Sequence, residues 1–156
     1  MRTFLTIASA FIVVALAACG KQTLPQKPQL TLDRCSIGFA QEFGSGTFIG
    51  TRPQESIIIE NGGLTDLVIS GVTTGGADPA AFEVTGPTKT TLKGLERAYV
   101  RVVFAPTEAR CYSMDMNIAS NAENAPNAVI RVSGRGVPPG TDAGFVACPP
   151  RPECGF

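Results

Sequence analysis

Three stretches in the second half of the chain alternate apolar and polar residues with a period of two, as strands do when one face lies on a core. Tyr99–Phe104 puts Val100, Val102 and Phe104 on one face. Tyr112–Ile118 turns Ser113, Asp115 and Asn117 to water, and Ala128–Ser133 turns Ile130 and Val132 inward. Earlier, Ser56–Glu60 and Leu67–Ile69 are apolar, mostly β-branched runs of strand length, the first ending at the turn Asn61-Gly62-Gly63. Gly, Pro, Asn and Asp punctuate the chain between these runs, and no stretch of the body carries a helical apolar period. About seven short strands in roughly 100 residues predict an all-β fold, an immunoglobulin-like β-sandwich forming a single domain.

The first residues follow another pattern. Arg2 precedes an apolar run from Phe4 to Leu16 that is broken only by Thr6 and Ser9, and small residues follow at Ala17 and Ala18. These are the zones of a secretory signal, and the run is shorter than the roughly 20 apolar residues that cross a bilayer. Leu16-Ala17-Ala18-Cys19 resembles the lipobox of bacterial lipoproteins. The resemblance implies a signal peptide over residues 1–18, a thioether lipid on Cys19 and acylation of its freed amine. Acyl chains burying CH₂ groups at about 0.8 kcal/mol each would hold the protein at a membrane. The alternative is ordinary cleavage after Ala17, leaving Cys19 a plain thiol. Gly20 stands where retention in the inner membrane of enteric bacteria favours Asp, which points to the outer membrane. Residues 19–31 then read as the lipidated cysteine and a polar, proline-spaced flexible tether, 32–137 as the sandwich, and 138–156 as a Pro/Cys-rich extension.

Composition narrows the function. Removing residues 1–18 leaves 156 − 18 = 138 residues, enough for one domain with a core. The formal net charge of zero offers no basic surplus for nucleic acid. Setting Cys19 aside leaves Cys35, Cys111, Cys148 and Cys154, an even number that suits disulfides in an oxidising space. The favoured pairing is Cys148 with Cys154, closing a ring around the prolines, and Cys35 with Cys111. The alternative, in which the tail crosses back to the body, stays open. Close pairs such as C-x₂-C are absent, which argues against a zinc site.

The order of several motifs, "FGSGTFIG" from Phe43, "IIIENGGLTDLVISGV" from Ile57, "FEV" from Phe82 and "VRVVFAPTEARCYSMDMNIASNAENAPNAVIRVSGRGV" from Val100, resembles the ASH/hydin-like domain, the choice-of-anchor D type of immunoglobulin-like repeat in bacteria. The resemblance covers about residues 30 to 137. It departs in the first segment, one residue longer than the pattern, and at Arg110-Cys111, where the family has Gly-Thr, which implies an added disulfide. These domains are interaction and scaffolding modules, so the resemblance implies binding without catalytic residues.

The residues agree with that implication. The chain has no histidine, the commonest general base and metal ligand, and it carries neither a Gly-x-Ser-x-Gly elbow nor a phosphate-binding glycine loop. No enzyme activity, metal or cofactor is expected. "SNAENAPN", Ser120–Asn127, offers oxygens for Ca²⁺ but lacks the ligand alternation of a calcium loop, and reads as a hairpin turn. Candidate contact residues are Tyr99, opposite Val100 across its strand, and Phe145, Arg151 and Phe156 of the extension, whose prolines favour an ordered extended chain. The function expected is that of a lipid-anchored envelope binding or scaffold protein with a protein partner, a subunit of an envelope assembly. The alternative is a carbohydrate- or peptidoglycan-binding surface module, disfavoured by two Tyr and no Trp.

Overall fold

A computed structural model describes residues 23–39, 46–140 and 148. The alternating stretches form the strands expected of them, within a set of ten among the described residues: β1 (Leu30–Leu32), β2 (Ser36–Phe39), β3 (Thr47–Phe48), β4 (Gln54–Asn61), β5 (Leu67–Gly75), β6 (Phe82–Thr85), β7 (Thr91–Leu92), β8 (Arg97–Phe104), β9 (Cys111–Ser120) and β10 (Asn127–Val137). One sheet runs β1-β4-β8-β6, the other β2-β10-β9-β5-β7 with β3 also on β10. The two face each other across a core that includes Ile57, Ile59, Val100, Val102, Phe104, Met114, Met116, Ile118, Ile130 and Val132, all fully buried.

Ten strands replace the expected seven for two reasons. The first strand is split because it changes sheets: β1 pairs antiparallel with β4, whereas β2 and β3 pair parallel with β10. From Phe39 to Thr47 the chain takes eight steps while their partners on β10, Gly134 and Gly136, are two apart. β7 is an added two-residue strand on β5. A second correction concerns Ser113, Asp115 and Asn117, which are half-buried and not fully turned to water, because β9 lies between β10 and β5.

The closing Gly-x-Gly has a packing cause. A Cβ on Gly134 would lie 2.5 Å from the Phe104 ring, and one on Gly136 2.2 Å from the Glu108 carbonyl. Bare backbone there lets β10 sit against the aromatic cluster of Phe39, Phe82, Phe104 and Tyr112 that fills this end of the core.

At the other end the domain begins earlier than the boundary at residue 32. The carbonyls of Pro25, Gln26, Pro28 and Gln29 accept hydrogen bonds from the backbone N–H of Leu64, Thr65, Glu123 and Gly62. From Pro25 onward, therefore, the supposed tether is docked. The fully buried Asn61 holds the same end: its Nδ2 donates to the Thr65 and Leu92 carbonyls at 2.7 and 3.0 Å, and its Oδ1 accepts from Gly63 at 3.0 Å and Gln29 at 3.3 Å. The loop Ser120–Asn127 is a turn whose amides serve structure. Asn124 bonds both the N–H and the carbonyl of Leu30 at 2.9 Å, while Asn121 accepts from Val68 N–H at 2.7 Å.

Candidate functional site

The tether and the Ser120–Asn127 loop share the end of the sandwich where β9 finishes; where β9 starts, the opposite end carries a groove of about 370 Å³. Its walls are small and largely apolar: Ala77, Pro79, Ala80, Ala81 and Ala105. A single 3₁₀ turn, Pro79–Ala81, supplies three of them, and Pro sits at its start, where a missing N–H costs no hydrogen bond.

The rim is polar and internally matched. Tyr112, at the start of β9, turns its hydroxyl back to accept from the backbone N–H of Glu108 at 2.8 Å and Thr107 at 3.2 Å, the arrangement of a tyrosine corner. Arg110 lies over that ring, 3.9 Å from its centroid. Its Nη1 donates to Asp78 at 2.7 Å and its Nε to Glu108 at 3.0 Å. The Asp78 carboxylate raises the Arg110 pKa above the usual value, with Glu108 adding to it. Asp78 accepts in turn from Ser113 N–H at 3.0 Å, which fixes the cation against the sheet. Two carboxylates already answer the guanidinium, and the described walls of the groove offer shape and apolar contact. Among the described residues no cluster of His, Cys, Asp or Glu is placed to hold a metal ion.

Cys111, between Arg110 and Tyr112, is bonded to Cys148, with Cα atoms 5.8 Å apart. This corrects the favoured pairings of Cys148 with Cys154 and Cys35 with Cys111; the tail crosses back to the body. The reason is topological. β10 returns antiparallel beside β9, pairing Arg135 with Cys111, so the chain leaves the sandwich at Cys111's end. Cys35 is also disulfide-bonded, and its partner lies outside the described residues. Cys19, Phe145, Arg151, Cys154 and Phe156 also lie outside them. Tyr99 is 47% exposed on the outer face of β8, opposite Ile58. Ala105 lies six steps from it along an extended chain, about 20 Å, so the structure does not bring Tyr99 to the groove. Sequence reading missed Asp78 and the roles of Arg110 and Tyr112. The departure at Arg110-Cys111 and the tyrosine leading its strand were the available signals.

No curated protein sequence matches the chain. Among solved structures, a protein of unknown function from Porphyromonas gingivalis W83 is similar at TM-score 0.56 and 20% identity, over 76% of this chain and 51% of that one. The ASH/PapD-like domain 7 of human CEP192 is similar at TM-score 0.54 and 18% identity, over 86% of this chain and 99% of that domain. The VesB protease of Vibrio cholerae follows at 0.52 and 23%, over 67% of this chain and 31% of the protease. This chain thus spans about half of the Porphyromonas protein and about a third of VesB. At these identities the likeness is one of fold. The family defined as "HYDIN/CFA65/VesB-like, Ig-like domain" matches residues 35–135, from the start of β2 almost to the end of β10. The chain therefore belongs to the HYDIN/CFA65/VesB-like Ig-like domain family.

Proposed function

We propose that this chain is a non-catalytic, lipid-anchored interaction module of the bacterial cell envelope, a subunit of an envelope assembly that meets its protein partner at the end of the sandwich opposite the anchor. The observation that carries the reading is the Cys111–Cys148 bond, which holds an extension beyond the Ig-like domain to the rim of the groove. A disulfide persists in an oxidising compartment, which favours an extracytoplasmic site. Cys19 stands six residues before Pro25, the first residue seen hydrogen-bonded to the domain, so a lipid on Cys19 lies at most about 20 Å from the docked chain. β9 runs from the groove to the tether end. A domain held by its tether end leaves the groove and the stapled extension free for a partner.

The glycan reading gains less support. Tyr112 is buried, so an aromatic platform on the described surface would rest on Tyr99 among the tyrosines. Changing Cys19→Ala tests the anchor: the variant is expected to stay unprocessed or to move to the soluble fraction, as read by fractionation and intact mass. Unchanged membrane retention with unchanged mass would rule out lipidation.

A further inference from the structure

Several sheet edges among the described residues are blunted. Asp33 covers β4 beyond the end of β1, giving its N–H to the Ile58 carbonyl and accepting from Ile58 N–H at 2.8 Å. Thr88 does the same for β8 beyond β6, with both the N–H and the carbonyl of Tyr99 at 3.1 Å. The asparagines of the Ser120–Asn127 loop cap Leu30 and Val68. Arg52–Glu83 and Arg34–Glu55 put ion pairs on β6 and on the outer part of β4. Charge and capping are the usual devices that stop one edge from pairing with another.

The far half of β5 lacks all of them. β7 pairs only with Leu67 and Val68, and Thr90 accepts from Ile69 N–H. From Gly71 to Gly75 the strand pairs with β9 on one side, and no described residue pairs with its other side. The segment Gly71-Val72-Thr73-Thr74-Gly75 has no charge and no proline. A Cβ on Gly71 or on Gly75 would meet nothing within 4 Å, and Thr73 and Thr74 are exposed. Glycine inside a strand often marks a place where another backbone comes close; at Gly71 a bulge in the β9 pairing also contributes.

We infer that this edge pairs with the same edge of a second copy of the chain, antiparallel and centred on Thr73. The segment is close to a palindrome. Centred there, Gly71 faces Gly75 of the other copy, Val72 faces Thr74 and Thr73 faces Thr73. Val72 packs against the core, so the two Val72–Thr74 pairs close the open sides of both sandwiches, while the Thr73 pair lies on the outer face. The cross-strand threonine pair is favourable, the Val72–Thr74 pairs set β-branched side chains against each other, and no like charges meet. The ends match as well. β7 stops the edge at Ile69, and the chain turns away at Gly76, where φ is +95°; a two-fold about Thr73 sets Gly76 opposite Ser70, so neither copy's β7 obstructs the other. Paired this way, the copies carry their tethers at opposite ends of one continuous sheet. The contact is small beside a standard interface of about 1,600 Å², so the association is weak and concentration-dependent.

Sedimentation equilibrium of the full chain in density-matched detergent tests this. The wild type is expected to pass from monomer to dimer on concentration through about 100 µM. Thr73→Lys alone and Thr73→Glu alone place like charges opposite each other and should stay monomeric, whereas their 1:1 mixture should dimerise about tenfold more tightly than either. Thr73 is exposed, so unchanged thermal unfolding of both variants checks the fold. A wild type monomeric to about 1 mM overturns the inference, as does a dimer indifferent to both charges, or a mixture that fails to recover.

Discussion

Asn61 shows how a single side chain can set an end of the fold. Fully buried, it ties the turn at Gly63, the carbonyls of Thr65 and Leu92 and the docked Gln29 through one amide. Asn61→Ala would leave buried donors and acceptors without partners, and it is expected to cost about 3 kcal/mol of unfolding free energy, measured by urea denaturation. A loss within about 0.5 kcal/mol would mean that water replaces the amide. The sequence marks Asn61-Gly62-Gly63 as a turn but conceals this hub, because Gln29 and Leu92 lie about thirty residues away on either side and no periodicity links them. Arg110 was legible only as a departure from the family pattern. Its stacking on Tyr112 and its bond to Asp78 depend on the crossover from β5 to β6, which a linear reading does not place.

At the level of elements, the alternating strands β8, β9 and β10 were readable because the side-chain period of an extended chain is two and one face is buried throughout. The sheet-switching first strand was not, since a change of sheet leaves the period untouched. Cysteine count likewise gives parity without connectivity. The Cys111–Cys148 bond closes 37 residues of sequence, and it is expected to contribute about 2–4 kcal/mol by limiting the unfolded chain. Changing Cys111→Ser together with Cys148→Ser should therefore lower the denaturation midpoint, while a non-reducing peptide map of the wild type should recover the Cys111 and Cys148 peptides joined. A map joining Cys35 to Cys111 would contradict the pairing. The docking of Pro25–Gln29 against the turns at Gly62–Thr65 and Glu123 is a tertiary effect of the same kind. Polar, proline-spaced chain reads as linker, and only its bonded carbonyls reveal it as part of the domain.

The whole molecule has two ends with different chemistry. One is closed by asparagine amides and the incoming chain. The other has an alanine-walled groove, an arginine neutralised by two carboxylates, and the point where the extension is stapled. Family membership accounts for the sandwich between them, and we propose that the partner binds at the second end. A photo-reactive residue placed at Ala80, which is exposed in the groove wall, or at Leu64, exposed at the tether end, tests that assignment in the native cells. One envelope protein is expected to be captured from Ala80 and not from Leu64, and capture is expected to be lost in the variant with Cys111→Ser and Cys148→Ser. Capture from Leu64 instead, capture at Ala80 indifferent to the disulfide, or co-purified glycan with no protein would contradict it.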